Sequence, residues 1–294
     1  MTPNLVILAG GVSSRMRKAA PVPDGMDAGL LVEAGEKSKS MLGVGRLGRP
    51  FLDYLIYNAR EAGYTDIVIV VGENDGGIRA RYGSAARDND FHGVRISYAV
   101  QAVPEGRTKP LGTADALLCA LRVRMDWRGT KLTVCNGDNL YSKGVLKQLL
   151  DTSHRGALID YDRDALRFEQ SKIEQFAVLE KDSDGYLTAI IEKPSSGDIR
   201  RVRDASGRVG VSMNIFRFSY DTVLGFLEEV PLHPVRQERE LPSAAALMVR
   251  KNRHSLFAIP ASEYVPDLTG RGDIALVQEY LRDNYPADPF SQVQ

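Results

Sequence analysis

Cysteine and histidine are scarce in this chain: two cysteines, Cys119 and Cys135, and four histidines among 294 residues. Both cysteines lie in apolar runs, which fits core thiols in a reducing compartment better than a disulfide framework or a zinc site. The histidines are scattered without metal-ligand spacing. An excess of charge is also missing. With 38 basic and 38 acidic residues the formal net charge is zero, so no global field draws the protein to nucleic acid or to an anionic membrane. Any phosphate binding must come from a local site. No apolar run approaches the roughly 18 to 20 residues that cross a bilayer. The N-terminus lacks a basic leader and its apolar run stops at Gly10-Gly11, so a signal peptide is not expected and the expected location is the cytoplasm. No internal repeat and no linker divides the sequence. Hydrophobic residues at 43% and charged residues at 26% place it among ordinary globular proteins.

What is present is an alternation of short apolar runs and helical stripes. Asn4-Leu5-Val6-Ile7 reads as a buried strand. Phe51, Leu52, Leu55, Ile56 and Ala59 form a helical stripe between Pro50 and Gly63, and residues 66–72 read as a doubly buried strand. A helix between two such strands implies a parallel sheet. Further strands are predicted over residues 94–100, ending at Gln101, and 131–135, with helices opening at Thr113 and over 142–150. In the second half, residues 157–161, 209–218 and 255–259 read as strands. Residues 175–180 and 186–192 read as a hairpin about Asp184-Gly185, and 220–229, 238–251 and 273–282 as helices. Residues 17–38 and 72–93 read as irregular. The expected fold is α/β, a Rossmann-like mixed and mostly parallel sheet flanked by helices. It is expected to form one domain over residues 1–294, with a nucleotide-binding half over about 1–150 and an acceptor-binding half over about 151–294.

The first strand runs into Leu8-Ala9-Gly10-Gly11-Val12-Ser13-Ser14-Arg15-Met16. Paired glycines let backbone N–H groups approach a ligand with no Cβ in the way. Successive N–H groups make an anion nest, to which Ser13 and Ser14 add hydroxyls and Arg15 a permanent planar charge. The stretch is a phosphate cradle or a tight strand-to-helix turn with an incidental arginine. Lys37 and Lys39 close the following loop and could fold over a triphosphate, or be solvated surface lysines. Gly43 to Gly48 match the dinucleotide pattern G-x-G-x-x-G, but no clean strand precedes them, and they are read as a turn. Asp138, just past the strand at 131–135, sits where α/β sheets bind ligands. It is a candidate metal ligand, or an Asx cap for the helix after it.

Six motifs in one order resemble the sugar-1-phosphate nucleotidylyltransferases, also called NDP-sugar pyrophosphorylases. Leu8 to Met16 is similar to their L-A-G-G-x-G-[ST]-R-[ML] signature, with Ser13 in place of the third glycine. Lys39-Ser40-Met41-Leu42 is similar to K-P-[ML]-L, with serine for proline. Gln101 followed by Gly112-Thr113-Ala114-Asp115-Ala116-Leu117 resembles the base-holding Q…G-T-A-x-A-L segment. Asn136-Gly137-Asp138 resembles the N-G-D metal site, and Glu192-Lys193-Pro194 the E-K-P motif. Asp267, six residues before Asp273, sits like the second metal aspartate, although Pro266 replaces the usual aromatic and Thr269-Gly270 inverts the usual Gly-Thr. The resemblance covers about residues 4 to 283 and implies a nucleotidyltransferase fold of the GT-A-like type.

It also implies a chemistry. An oxygen of a sugar 1-phosphate attacks the α-phosphorus of a nucleoside triphosphate, and pyrophosphate leaves. By resemblance, Arg15, Lys39 and Lys193 are the catalytic cations. Leu8, Ala9, Gly10, Gly11, Ser13, Ser14, Gln101, Gly112 and Thr113 bind the nucleotide, and Glu192, Lys193 and Asn214 meet the acceptor. Asp138 and Asp267 hold Mg²⁺. Gln101 suits a pyrimidine, although an amide also serves other bases. Phe176-Ala177-Val178 stands where the family usually has Y-G-V, which keeps a second acceptor class in view: an alditol phosphate or phosphocholine. A third reading is a catalytically silent subunit that senses nucleotide or sugar phosphate. The expected partners are therefore a nucleoside triphosphate and a sugar 1-phosphate, with no nucleic acid and no membrane. A homo-oligomer is compatible with the sequence, which shows no hexapeptide repeat after residue 282.

Overall fold

The structure is a computed structural model and describes residues 3–11, 16, 28–83 and 89–290. Among the described residues eleven strands join one mixed sheet: β1 (Asn4–Leu8), β2 (Asp66–Gly72), β3 (Asp90–Phe91), β4 (Val94–Gln101), β5 (Lys131–Asn136), β6 (Ala157–Asp162), β7 (Val178–Lys181), β8 (Leu187–Ile191), β9 (Gly210–Val211), β10 (Phe216–Ser219) and β11 (Phe257–Ala261). The helices among the described residues are α1 (Ala28–Glu36), α2 (Phe51–Ala62), α3 (Gly76–Tyr82), α4 (Thr113–Val123), α5 (Lys143–Asp151), α6 (Gln170–Ile173), α7 (Ser196–Val202), α8 (Tyr220–Glu229), α9 (Leu241–Lys251) and α10 (Asp273–Asn284).

The strand order is β3-β4-β2-β1-β5-β10-β6-β9-β7-β8, with β11 beside β6. β4, β2, β1 and β5 are parallel neighbours, with Val6 opposite Val68 on one side and Val134 on the other. β10 enters antiparallel between β5 and β6, so β6 and β11 point the same way as β1. The expected α/β class and mostly parallel central sheet are borne out. Alternation along β1 and β2 explains the two cores. Leu5, Ile7, Ile67, Ile69 and Val71 face a layer with α2 and α5, while Val6, Val68 and Val70 face one with α4, α8 and α9. Side chains that alternate across a pleated strand fill both layers only if every position is apolar, as here.

Three departures from the expected elements have local causes. Residues 28–36 form α1 inside the stretch read as irregular, and residues 76–82 form α3, started by Asp75 accepting from the Ile78 N–H at 3.3 Å. The strand expected over 209–218 is two strands, because Asn214 takes a left-handed φ of 55°. Asparagine tolerates that region better than most side chains. Both cysteines are free thiols, Cys135 fully buried in β5. No helix of the described residues is long and apolar enough to cross a membrane.

Candidate active site

Because β1, β5 and β4 are parallel, their C-terminal ends deliver Leu8, Asn136 and Gln101 to one sheet edge, the edge at which open α/β sheets bind ligands. A cleft of about 350 Å³ opens there, lined among others by Gly10, Gly11, Lys39, Gln101, Thr113 and Asp138. The floor is tight. Ala9 donates its N–H to Val70 O at 2.9 Å, and Gly137 donates to Leu8 O at 2.9 Å. A Cβ on Gly10 would come within 3.3 Å of the Val71 backbone, while one on Gly11 would meet nothing. The first glycine therefore serves packing, and the second leaves open backbone at the cleft. Ser13, Ser14 and Arg15 lie outside the described residues. Met16 is buried, and its carbonyl accepts from Arg271 Nε at 3.0 Å.

The wall of the cleft is built on Gln101, which is buried. Its Nε2 donates to Gly112 O and to Asp115 Oδ2, both at 2.8 Å. Both partners are acceptors, so the amide cannot be turned over without setting oxygen against oxygen. Gly112 has φ 106°, and a Cβ there would stand 2.5 Å from Arg239 O. Thr113 Oγ1 accepts the Leu241 N–H at 2.9 Å, and the Ala114 N–H reaches Arg239 O at 3.0 Å. The start of α4 is thus clamped to the start of α9.

The acidic side of the site joins distant parts of the chain. Asn139 and Asp267 form an antiparallel bridge; the Leu268 N–H reaches Asp138 O at 2.8 Å and the Leu140 N–H reaches Pro266 O at 2.9 Å. This pairing brings Asp138 and Asp267 onto neighbouring backbones. Lys39 Nζ is ion-paired with Asp138. Asp267 is 8% exposed; burial first, and the charge of Asp138 second, push its carboxyl above the ordinary range. Two groups restrain it. Thr269 Oγ1 donates to Oδ1 at 2.5 Å, and Lys172 Nζ lies 2.9 Å from Oδ2. Lys172 also lies 3.0 Å from Asp273 Oδ1 and over the Phe168 ring. Burial alone would lower its pKa, but the two carboxylates outweigh that and the net shift is upward.

The E-K-P motif sits apart from this cleft. Lys193 has a left-handed φ of 47° and lines a second cleft of about 470 Å³ with Arg163, Gln170, Glu174 and Ser196. Glu192 is ion-paired with Arg236, which also reaches Glu240 Oε1 at 2.7 Å. Asn214 donates its backbone N–H to Ser212 Oγ at 3.2 Å and lines neither cleft. The structure therefore gathers Leu8, Ala9, Gly10, Gly11, Lys39, Gln101, Gly112, Thr113 and Asp138 around one cleft, with Asp267 beside Asp138, and leaves Glu192, Lys193 and Asn214 elsewhere. Lys172 and Arg163 carry no local motif and were not legible as site residues. Only the folded chain sets Lys172 against Asp267 and Asp273, and Arg163 beside Lys193.

Open glycine backbone, a clamped wall and a carboxylate pair thus meet at the ligand-binding edge of an α/β sheet. The chain belongs to the nucleotidyl transferase family, which residues 35–258 match; the family resemblance and the enzyme class read from the motifs are borne out. The low-salt glycan biosynthesis nucleotidyltransferase Agl11 of Haloferax volcanii is 28% identical over 190 residues, 64% of this chain and 44% of that protein. The bifunctional protein GlmU of Symbiobacterium thermophilum is 25% identical over 218 residues, 74% of this chain and 41% of its own length. The chain thus spans less than half the length of these curated relatives. Among solved structures, UTP-bound UGPase from Acinetobacter baumannii superposes with a TM-score of 0.70 at 17% identity, covering 97% of this chain and 95% of that one. A putative glucose-1-phosphate thymidylyltransferase from Bacillus anthracis superposes with a TM-score of 0.66 at 20% identity, covering 98% of each chain. These superpositions establish the shared nucleotidyltransferase fold.

Proposed function

We propose that the chain moves a nucleotidyl group from a nucleoside triphosphate to a sugar 1-phosphate, releasing pyrophosphate and forming an NDP-sugar. The observation that carries this reading is the cleft itself: open glycine backbone, the Gln101–Gly112–Thr113 wall and Lys39 with Asp138 converge on one sheet edge. The names of the similar proteins support the same class of reaction. On this reading the chain acts as a single catalytic unit in the cytoplasm, with the donor held by its first half and the acceptor by its second.

The chemistry asks little covalent work of the protein. A phosphate oxygen of the acceptor forms a bond to the α-phosphorus as the α–β bridging bond breaks, and pyrophosphate departs with those electrons. A phosphate is already ionised near neutral pH, so no general base is required. What the chain must supply is positioning and positive charge for two anions. Gly10, Gly11 and the start of α4 hold the nucleotide. With both Gln101 amide hydrogens spent on Gly112 and Asp115, its carbonyl oxygen is left to accept from a base. The imide N–H of uracil or thymine suits it. Arg15 and Lys39 neutralise the triphosphate, Lys39 turning from Asp138 to do so. The acceptor phosphate is given to Lys193, which lines the second cleft with Arg163 and must turn toward the donor cleft to hold it.

A divalent cation fits the donor set. Asp138 and Asp267 are hard oxygen ligands on adjacent backbones, and the buried Asp267 already recruits a cation, the Lys172 ammonium. Asp138 and Asp267 would hold Mg²⁺, which would supply charge neutralisation for the phosphate oxygens.

The acceptor side departs from the family pattern at two positions. Glu192, read as a partner of sugar hydroxyls, is engaged by Arg236, and Ala177 replaces the family's glycine. These two features favour keeping a non-sugar phosphate acceptor, an alditol phosphate or phosphocholine, as the second reading. One screen tests both: pyrophosphate release for each NTP against sugar 1-phosphates, alditol phosphates and phosphocholine with Mg²⁺. Release with UTP or dTTP and a sugar 1-phosphate is expected. Release only with a non-sugar acceptor selects the second reading. Nucleotide binding with no turnover for any pair leaves the sensing subunit.

A further inference from the structure

Helix α6 faces both the carboxylate pair and the second cleft. On one side Lys172 Nζ reaches Asp267 Oδ2 at 2.9 Å and Asp273 Oδ1 at 3.0 Å, and Asp267 is bridged to Asn139, next to Asp138. On the other, Gln170 of the helix and Glu174 and Gln175 just after it line the second cleft with Lys193 and Arg163. One short helix thus touches the carboxylate given to the metal and walls the cleft that contains the lysine given to the acceptor.

Little else ties this helix down. None of its four residues is buried, and its N-cap, Glu169, makes no side-chain capping bond. Its backbone bonds are internal, from Lys172 N–H to Glu169 O at 2.9 Å to Gln175 N–H to Lys172 O at 3.1 Å. The amides of Gln170 and Gln175 turn back on the same stretch, to Glu174 Oε1 and to Ser171 O, both at 3.1 Å. Among the described residues, the ion pairs of Lys172 are the polar ties that join residues 170–175 to the rest of the fold. Rings anchor the flanks: Phe168 lies 5.4 Å from Phe176 and 5.3 Å from Tyr264 between centroids. A segment with so few buried groups and one polar side chain as its tether belongs to the low end of local stability.

A dication on Asp138 and Asp267 bears directly on that tether. Each Asp267 oxygen already has a donor, Thr269 Oγ1 on Oδ1 at 2.5 Å and Lys172 on Oδ2. Thr269 is neutral and fixed two residues along the chain, so it can stay. The ammonium is repelled at close range by a second cation on the same carboxylate. We propose that Lys172 is a positioning residue, the latch of α6. Without metal it holds α6 against Asp267 and Asp273. With a dication on the two aspartates it gives up Asp267, and the wall of the second cleft loosens beside Lys193. This latch presupposes the metal reading of Asp138 and Asp267. It couples metal and acceptor through one helix, and by linkage whatever draws α6 off Asp267 also favours the metal.

Millisecond hydrogen–deuterium exchange on the full chain tests the latch, with Mn²⁺ binding followed in parallel by the loss of the free-ion EPR signal. As Mn²⁺ saturates, exchange over residues 168–176 is expected to quicken about fivefold, the size of one partly exposed ion pair. In Lys172→Met these residues are expected to exchange fast without metal and to ignore Mn²⁺. Lys172→Arg keeps the charge and is expected to keep the response. Asp138→Asn leaves the latch in place and is expected to shift the response to at least about tenfold higher Mn²⁺, which locates the ion. Mn²⁺ binding that leaves exchange over 168–176 unchanged, or a Lys172→Met chain that responds as the wild type does, overturns the latch and leaves the metal reading standing. No Mn²⁺ binding, or an Asp138→Asn response at the wild-type concentration, overturns both.

Discussion

The Lys172 ammonium lies 2.9 Å from the carboxylate of Asp267. The pair joins α6 to the segment that bridges back to Asn139. A cation therefore already stands beside the carboxylate that our reading gives to the metal.

If Lys172 acts there as a counter-charge, Lys172→Met deepens the negative potential at Asp138 and Asp267. Mn²⁺ binding, followed by the loss of the free-ion EPR signal, is expected to tighten by about tenfold at low salt. Unchanged or weaker binding would show that the lysine only braces the Thr269–Asp273 turn.

Proton linkage follows from the raised carboxyl of Asp267. Its pKa in the fold lies above the ordinary 3.8, so the folded chain holds this proton more tightly than the unfolded one. Stability from this group is thus lost as pH rises from 3.8 through the folded value. A metal must displace the same proton, so its affinity is expected to rise with pH over that window and level off above it. Calorimetric titration in two buffers of different ionisation enthalpy reads the released proton directly. No proton release at the acid end would contradict the assignment of Asp267.

For Asp138→Ala, turnover in the pyrophosphate-release assay is expected to fall by at least about a hundredfold, with circular dichroism and Tm close to wild type. Asp138 is partly exposed and its partner Lys39 can return to solvent, so the fold loses little. A variant that kept its activity would refute the metal role.

Gly112→Ala combines a left-handed φ with a Cβ 2.5 Å from Arg239 O. The expected cost is about 2 kcal/mol or more in chemical denaturation, together with weakened nucleotide binding as the α4–α9 clamp is forced apart. A neutral substitution would mean that the clamp is slack.

The donor side was legible because its residues follow strands that announce themselves. Leu8, Gln101 and Asn136 each end an apolar run, and parallel strands deliver such ends to one edge. The acceptor side was not, because its geometry depends on β10 entering between β5 and β6 and on a kink at Asn214 that no periodicity records. Lys172 was missed for the same reason: the acids it meets lie far along the chain. The E-K-P motif was visible as letters, yet its glutamate is held by Arg236, an ion pair between two stretches that share no pattern.

The bridge between Asn139 and Asp267 bears on how the enzyme is made. During synthesis the glycine turn, the Gln101 wall and Asp138 all leave the ribosome well before Asp267 does. A nascent chain can assemble the nucleotide-facing strands early and still lack the second carboxylate. On our reading, the emerging polypeptide has no complete metal pair with which to engage a triphosphate until the segment that carries Asp267 has been released.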